Sequence, residues 1–323
     1  MKAPFDIILR AMVLPGARPT DDEGHQVIPD FASSPKHPRS RRISRQERIR
    51  RTLRRYLLAW IGLGLVTLVT LAAVFAPWLS PYTPDAMNLA NELAGPSRAH
   101  LFGTGDNGVD VLTHVLYGAR ISLLVAMLTT LVSVVVGVSL GALAGYAGGM
   151  VDGLLMRLVD VVLAFPGILL AIFITAVLGP AVEHLILALA LTGWVGYARL
   201  ARGQVMALRD REYVQAARAL GATPLRVVVR HLLPNIAGPI LVSATFGLPA
   251  VILAEVALSF LGLGVPPGTP SWGALLESGS QYLLVAPHLA AFPGLAVIIT
   301  VLGFNFLGDG IRDRLDPRGR RAG

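Results

Sequence analysis

Most of this chain consists of apolar runs long enough to cross a membrane. An α-helix rises 1.5 Å per residue, so about 20 apolar residues cross a hydrocarbon core about 30 Å thick. Hydrophobic residues make up 54% of the chain and charged residues 15%, a balance that soluble domains rarely show. The apolar runs are Tyr56–Leu79, Ile121–Tyr146, Val161–Leu178, His184–Tyr197, Ile236–Leu261 and His288–Leu307. They predict an all-α, polytopic membrane protein with six transmembrane helices.

Arginine is concentrated on one side of such a six-helix arrangement. The arginine-bearing positions on that side are residues 39–55, 199–230 and 312–321, together with Arg157. The opposite side holds Arg98, but neither 179–183 nor 264–287 contains a lysine or arginine. Because cytoplasmic flanks carry the excess of positive charge, both termini are predicted to be cytoplasmic. The net charge of +8 then reflects topology and attraction to anionic membrane lipid, and no nucleic-acid partner is expected.

Composition divides the chain into four parts. Residues 1–50 are rich in Pro, Asp, Ser and Arg and are expected to form a disordered, basic cytoplasmic tail. Residues 51–118 hold the first span and an extracytoplasmic loop, residues 119–310 hold a five-helix domain, and residues 311–323 form a second basic tail. The chain has no cysteine, which excludes disulfides, thiolate metal sites and cysteine nucleophiles.

The segment 209–234 is a polar interruption between the fourth and fifth runs. Tyr213, Ala216, Ala217 and Leu220 are spaced to share one face of a helix. Leu225, Val228, Val229 and Leu232 repeat the pattern. Between the two sets, Gly221 suits a left-handed helix end, Thr223 suits a helix cap, and Pro224 suits a first helical turn. Two short amphipathic helices that meet at a fixed bend are predicted.

The sequence contains a motif typical of serine hydrolases, but its predicted position in a span argues against catalysis. Residues 137–141 read Gly-Val-Ser-Leu-Gly, the pattern around a hydrolase serine. However, Ser139 is predicted in the inner half of its span, whereas His184 and His288 lie near the outer ends of theirs, so the serine has no base. Gly137, Gly141 and Gly145 instead predict a ridge for close helix packing.

Nucleotide-binding motifs fail as well. Residues 103–108 fit a dinucleotide fingerprint, but they follow no strand of a βαβ unit. No phosphate-binding Gly-x4-Gly-Lys loop is present, since the only lysines are Lys2 and Lys36. ATP, if it is used, must therefore be bound by another subunit.

One motif in the 209–234 segment resembles a known family. Glu-x3-Ala-Ala-x3-Gly followed by Leu-Pro is similar to the cytoplasmic coupling loop in permease subunits of type I ABC importers. The resemblance extends over about residues 50–318 and is closest to the C-type permease of the dipeptide, oligopeptide and nickel uptake family. The residues of the motif are Glu212, Ala216, Ala217, Gly221, Leu233 and Pro234, and further matching stretches lie at 116–123, 157–160, 164–166, 254–264, 270–273 and 305–310.

This resemblance implies a prokaryotic inner-membrane complex. Its expected members are a second permease subunit, two ATP-binding subunits that hold ATP and Mg²⁺, and an extracytoplasmic solute-binding protein. The motif residues together with Pro224 are expected to contact the ATP-binding subunits, which carry out the ATP hydrolysis. An amphipathic helix suits this role, because its apolar face fits a groove of a partner and the alanines permit close approach. No catalytic residue, cofactor or metal site is expected in this chain.

Two regions depart from the family pattern. Gln215 stands where a glutamate commonly precedes the paired alanines, so a charged contact is expected to be missing or moved to Glu212. In the outer loop, Gly105, Val109 and His114 replace an acid and two arginines. The residues expected to face the solute-binding protein are Asp106, Asp110 and His114.

Ionisable groups within spans are costly and therefore informative. Asp160 is predicted to pair with Arg157 at the i, i+3 spacing. Glu255 has no partner visible in the sequence, and two roles remain open for it: it lines the passage, or it bonds to a neighbouring helix. Our hypothesis assigns Glu255 and Asn305 to the translocation path or its gate.

Three classes of function remain in view. A permease that imports di- or oligopeptides comes first by resemblance, with nickel chelates or another small solute as the alternative cargo. A secondary carrier is a remote second, since neither internal repeats nor ion-binding charges in both halves are visible. An intramembrane serine hydrolase is the most remote.

Overall fold

The computed structural model describes residues 45–315 and their side chains from Leu57 onwards. Residues 1–44 of the predicted tail and the end of the second tail lie outside the described residues, while residues 45–50, which were predicted to be disordered, form the start of the first helix. The helices are α1 Arg45–Val74, α2 Ala76–Leu79, α3 Val111–Ala147, α4 Gly149–Leu163, α5 Gly167–Leu178, α6 Val182–Leu208, α7 Glu212–Ala219, α8 Pro224–Val227, α9 Leu233–Phe260, α10 Trp272–Gln281 and α11 His288–Leu315. Short 3₁₀ turns occur at Leu89–Asn91 and Asp106–Gly108.

The predicted fold class is confirmed. Between residues 45 and 315 the structure contains five helical segments long and apolar enough to cross a membrane, and the pair α4 and α5 makes a sixth if it counts as one bent span. The fourth apolar run, His184–Tyr197, is part of a much longer helix, α6. The apolar run stops before Arg199 and Arg202, so hydropathy alone gives too short a helix. Both arginines are accommodated in the helix because they form ion pairs with α4.

The third apolar run is not one helix, as predicted, but two. Helices α4 and α5 are bent by 79° at a break of three residues. Pro166 explains the break: it disfavours helical geometry in the residue before it and has no N–H to continue the ladder. Its own ψ of 118° is extended, so α5 starts in a new direction.

Glycines bring α3 and α6 into backbone contact. A methyl group on Gly137 would overlap the Trp194 carbonyl, and one on Gly141 would overlap the Ala198 carbonyl. On Gly145 it would lie 2.8 Å from the Arg202 carbonyl oxygen. The predicted small-residue ridge is confirmed, and it faces α6 within the same chain.

The first span lies at the edge of the fold. Helix α1 contacts α11 where both have glycine, since a Cβ on Gly62 would meet the Gly303 carbonyl oxygen at 2.8 Å. Between Leu57 and Val74, most of the remaining side chains of α1 are exposed, among them Trp60 and Leu68. The helix-on-helix contact through small residues is the usual way that membrane helices associate.

The central core joins four helices. Ala126 of α3, Ile252 of α9, Trp272 of α10 and Phe304 of α11 form one buried cluster. The Trp272 indole also donates a hydrogen bond to the Val115 carbonyl, 3.1 Å away. Helix α10, which is too short to span a membrane, is thereby fixed against the ends of α3 and α9.

Candidate functional site

The bend between α7 and α8 is built as the sequence predicts. Gly221 has a φ of +84°, which an L-residue adopts only at a cost. The N–H of Gly221 bonds to the Arg218 carbonyl at 2.9 Å and that of Ala222 to the Ala217 carbonyl at 3.0 Å. These two bonds form a Schellman motif. Thr223 then caps α8 by accepting a bond from the Arg226 N–H, and Pro224 takes the first helical turn.

Two buried valines hold this hairpin against the adjoining ends of α6 and α9. Val214 of α7 and Val227 of α8 are fully buried and pack in one cluster with Val205 of α6 and Ile236 of α9. The sequence analysis missed Val214, because it does not belong to the face assigned from the alanine spacing. The hairpin is therefore anchored by its valines, and the face of Ala216 and Leu220 is left free.

Of the other apolar side chains of the hairpin, Leu232 is fully buried and Val228 half-buried, but four large ones are exposed. Their exposed fractions are 42% for Tyr213, 89% for Leu220, 73% for Leu225 and 53% for Val229. Ala216 and Glu212 are exposed as well, and Ala217 is half-buried. Large apolar side chains outside the lipid-crossing segments and without cover mark a contact surface. We call Tyr213, Leu220, Leu225 and Val229 the hairpin patch.

Polar contacts connect the hairpin to the end of α3. The Arg218 guanidinium lies 5.0 Å from the centre of the Tyr146 ring, a cation–π distance. Arg209 donates to the Gly145 carbonyl at 2.9 Å. Gln215, which departs from the family pattern, donates its side-chain amide to the Asp210 carbonyl at 3.0 Å. Its contact is thus local and links the start of α7 to the turn before it.

The second half of the hairpin does not end as a separate helix at Leu233. It continues through a π-helical turn, Val228–Leu232, directly into α9. Pro234 explains the turn, since a proline lacks the N–H and collides with the carbonyl four residues earlier. A π-turn displaces that carbonyl. Leu233 and Pro234 therefore lie where the π-helical turn passes into α9, and the second half of the hairpin is continuous with that span.

Two ion pairs connect α4 to α6. Asp160 does not pair with Arg157, as predicted, but with Arg199 at 2.6 Å. The prediction was wrong because it considered one helix, whereas α4 packs along α6. Arg202 binds both carboxylate oxygens of Asp152, at 2.5 and 2.6 Å. The sequence contains a signal for both pairs, since Arg199 and Arg202 share a face of α6 at the i, i+3 spacing.

The Asp152–Arg202 pair is expected to stabilise the fold more than the Asp160–Arg199 pair. Its side chains are 17% and 32% exposed, against 65% and 53% for the other pair, and its geometry is bidentate. Asp152→Asn should lower the free energy of unfolding by about 1–2 kcal/mol, and Asp160→Asn by about 0.5 kcal/mol or less. Thermal unfolding in detergent measures both. Equal effects, or no recovery in the double variant Asp152→Arg with Arg202→Asp, would contradict this ranking.

Glu255 is fully buried between three helices. Its two carboxylate oxygens accept hydrogen bonds at 2.9 Å from Ser122 of α3 and Ser259 of its own helix. The Ser122 hydroxyl oxygen in turn lies 3.4 Å from the Trp272 N–H at the start of α10. Of the two roles left open by the sequence, these contacts favour bonding to a neighbouring helix.

Asn305 lies half-buried on α11, and among residues 57–315 no hydrogen bond joins it to Glu255. Roles in the path stay predictions for both residues.

The outer-loop residues separate into two environments. Asp110 is 4% exposed and caps α3 by accepting the Thr113 N–H at 2.8 Å, while His100 contacts its other oxygen at 2.9 Å. Asp106 and His114 instead line a groove of about 430 Å³ with Glu277. Asp110 therefore stabilises the helix start, and it borders a separate groove beside His100 and Tyr82.

The groove is acidic at its rim. Asp106 is exposed, and the Tyr282 hydroxyl donates to it at 3.5 Å. The negative charge of Asp106 raises the pKa of Tyr282. His114 bonds through Nε2 to the Pro84 carbonyl oxygen at 2.9 Å, which fixes the ring against the loop. Contact of this groove with a binding protein stays a prediction.

Comparison with known proteins gives one family for the chain. Residues 137–321 match the family described as binding-protein-dependent transport system inner membrane component. Residues 44–96 match the N-terminal TM domain of oligopeptide transport permease C.

Several relatives are similar over most of their length. The dipeptide transport system permease protein DppC of Alkalihalophilus pseudofirmus is 41% identical over 266 residues, covering 82% of this chain and 88% of that protein. A putative peptide transport system permease protein of Brucella suis is 43% identical over 291 residues, covering 90% and 95%. The glutathione transport system permease protein GsiD of Shigella flexneri is 43% identical over 296 residues, covering 90% and 93%.

A solved structure shares the fold. A chain of the inward-facing MetNI methionine ABC transporter aligns with a TM-score of 0.50 at 20% identity, covering 62% of this chain and 96% of that chain. At this identity the likeness concerns the fold alone. The helical architecture, the matched family and the relatives agree: this chain belongs to the family of binding-protein-dependent transport system inner membrane components.

Proposed function

We propose that this chain is a permease subunit of an ATP-driven peptide importer. It forms half of the translocation pathway, and a second permease subunit forms the other half. Two separate ATP-binding subunits hold ATP and Mg²⁺, and a solute-binding protein delivers the cargo on the extracytoplasmic side. Peptides are the preferred cargo because relatives 41–43% identical to this chain carry dipeptide, peptide and glutathione transport in their names.

The hairpin patch is the observation that supports coupling. Four large apolar side chains are exposed on a segment whose bend is fixed by a Schellman motif and a threonine cap. A rigid, amphipathic element suits a groove on a partner. Because α8 continues into α9, a partner that moves the hairpin also moves a membrane span as one body. ATP-binding subunits on the cytoplasmic side are the partner that meets this description.

The arginine distribution supports the orientation. The hairpin itself holds Arg211, Arg218, Arg226 and Arg230, and such an excess is typical of cytoplasmic flanks. Both termini then lie in the cytoplasm, and the groove of Asp106 and His114 faces the binding protein. Accessibility of a single engineered cysteine in the hairpin, measured from each side of the membrane, would test this orientation directly.

Changing Leu220 to Asp is expected to separate the ATP-binding subunits from this chain. Leu220 is 89% exposed, so the change leaves the isolated fold intact, but it puts a charge into an apolar contact. Burying that charge weakens binding at least about tenfold. Co-purification of the ATP-binding subunits and ATP-dependent uptake measure the effect.

Leu101 provides the matched control for this experiment. It is 60% exposed and lies in the outer loop, so Leu101→Asp makes the same chemical change on the opposite side of the membrane. The control should retain the ATP-binding subunits. If Leu220→Asp retains them equally well and transports at the wild-type rate, the hairpin patch is not the docking surface.

A further inference from the structure

A cavity of about 90 Å³ lies between α1 and α11, at the edge of the fold. Two small residues bring the helices together there, since a Cβ on Gly310 would overlap the Ala59 side chain. Larger side chains surround this close contact and border the space that it leaves open. We call this space the α1–α11 cavity; its larger lining residues are Trp60, Leu63, Leu307, Ile311 and Arg314.

The α1–α11 cavity lies where both helices leave the hydrocarbon core. The apolar window of α1 begins at Leu57, so Trp60 is less than one helical turn inside it. Leu307 ends the apolar run of α11 and contacts α1 at Gly62, two residues beyond Trp60. Tryptophan is enriched at this level of membrane proteins, because its ring is apolar and its N–H is polar. The cavity therefore opens at the boundary between acyl chains and headgroups.

Arg314 brings a positive charge to this boundary. Its Cα lies seven residues, or about 10 Å, beyond Leu307 along α11, yet both residues line the cavity. Helical side chains point towards the start of their helix, so the guanidinium reaches back towards the membrane. Arg314 is the only charged residue among the described residues that line the cavity, and within residues 57–315 it forms no ion pair. A phosphate suits such a guanidinium, which can donate two parallel hydrogen bonds to it.

The ends of both helices are rich in positive charge. Asp309 and Asp313 of α11 are exposed acids in the same region, but neither lines the cavity. Basic pockets between membrane helices on the cytoplasmic side are typical of sites for anionic lipid headgroups. The arginines near the cavity in the sequence, besides Arg314, are Arg51, Arg54 and Arg55 of α1 and Arg312 of α11.

We propose that the α1–α11 cavity binds one anionic phospholipid. Arg314 donates to the lipid phosphate, and Trp60, which is 61% exposed, donates its indole N–H to an oxygen of the headgroup region. Leu63 and Leu307 contact the first carbons of the acyl chains. A lipid bound there covers the contact between the peripheral span and the rest of the fold. The proposal depends neither on the cargo nor on the ATP-binding subunits.

Native mass spectrometry of the full chain in detergent tests this site. The chain is titrated with dioleoylphosphatidylglycerol, which is anionic, or with dioleoylphosphatidylcholine, which is zwitterionic. One phosphatidylglycerol should bind at least about tenfold more tightly than phosphatidylcholine, because the paired hydrogen bonds to Arg314 are charge-assisted. Arg314→Gln should remove that preference, with a loss of about tenfold in affinity for phosphatidylglycerol.

Arg312→Gln is the matched control. Arg312 is an exposed arginine in the same last turn of α11, but it does not line the cavity, since two positions along a helix turn a side chain by about 200°. The control removes the same charge and should bind phosphatidylglycerol as wild type does. Equal losses in Arg312→Gln and Arg314→Gln would overturn the proposal, because they would show attraction to a charged helix end without a site.

Two further results would overturn the proposal. The first is equal affinity of the wild-type chain for both lipids. The second is loss of the bound phosphatidylglycerol when the chain is titrated in complex with its partner subunits, which would show that a protein covers the cavity. If Arg314→Gln does not fold, Trp60→Leu decides the question: it keeps an apolar wall but loses the N–H, so it should weaken phosphatidylglycerol binding about threefold. Wild-type affinity of Trp60→Leu would then reject the site.

Discussion

Replacing Gly141 with leucine is expected to prevent this protein from folding. Gly141 lies where α3 and α6 touch backbone to backbone, and even a methyl group would overlap the Ala198 carbonyl. Backbone atoms cannot move aside as a side chain can, so the two helices must separate along their length. Their separation would also open the neighbouring contacts of Gly137 and Gly145. Overpacking a tight core costs about 1–3 kcal/mol, and a backbone clash of this kind exceeds that range.

A second glycine-to-leucine variant serves as the control. It distinguishes the backbone clash at Gly141 from the general effect of placing a larger side chain in a membrane span. Gly64 of α1 has open space around it, so Gly64→Leu should insert and fold normally. Size-exclusion chromatography in detergent should show aggregate for Gly141→Leu and a wild-type peak for Gly64→Leu. Gly141→Ala should fall between them. A monodisperse Gly141→Leu with the wild-type unfolding temperature would mean that the α3–α6 contact is much looser than the structure has it.

Features of this fold that depend on neighbours in sequence were predictable. The apolar runs gave the spans because a membrane imposes one length on every helix that crosses it. The bend of the hairpin could be predicted because Gly221, Thr223 and Pro224 each act within four residues. The glycine ridge of α3 followed from a period of four. The break at Pro166 also has a local cause, but the prediction of one span over Val161–Leu178 did not take that proline into account and was wrong.

Contacts between distant segments were not predictable from one sequence. Asp160 had a plausible partner three residues away in Arg157, and its actual partner, Arg199, lies 39 residues away. The spacing also assigned the hairpin face but did not show that Val214 would be the buried residue. Which side of a short helix meets the protein depends on the spans around it. The sequence therefore indicates which residue types are involved, and the packing decides which of them are left free for a partner.

Glu255 has one hydrogen bond that could be predicted from the sequence and one that could not. Its bond to Ser259 lies at the i, i+4 spacing and could have been expected. Its bond to Ser122 spans 133 positions and could not. Together the two bonds place a buried carboxylate where α3, α9 and α10 meet, so the residue once assigned to the passage also holds three helices together.

Glu255→Ala is therefore expected to destabilise the protein strongly. The change leaves the hydroxyls of Ser122 and Ser259 without their acceptor and leaves a cavity at a fully buried position. Lost hydrogen bonds and a cavity together cost about 2–4 kcal/mol. Glu255→Gln keeps the shape and one acceptor oxygen, so it should recover most of that stability. Thermal unfolding in detergent measures both, with the exposed Glu183→Ala as a control within about 0.5 kcal/mol of wild type.

Uptake measured on the same variants separates the two roles of Glu255. If the carboxylate acts only by joining helices, uptake should follow stability, and Glu255→Gln should transport nearly as well as wild type. If the charge itself is needed in the passage, Glu255→Gln should fold normally and fail to transport. The burial of both carboxylate oxygens against serines leads us to expect the first result. Wild-type stability of Glu255→Ala would contradict it, because a carboxylate that can be removed without cost does not hold α3, α9 and α10 together.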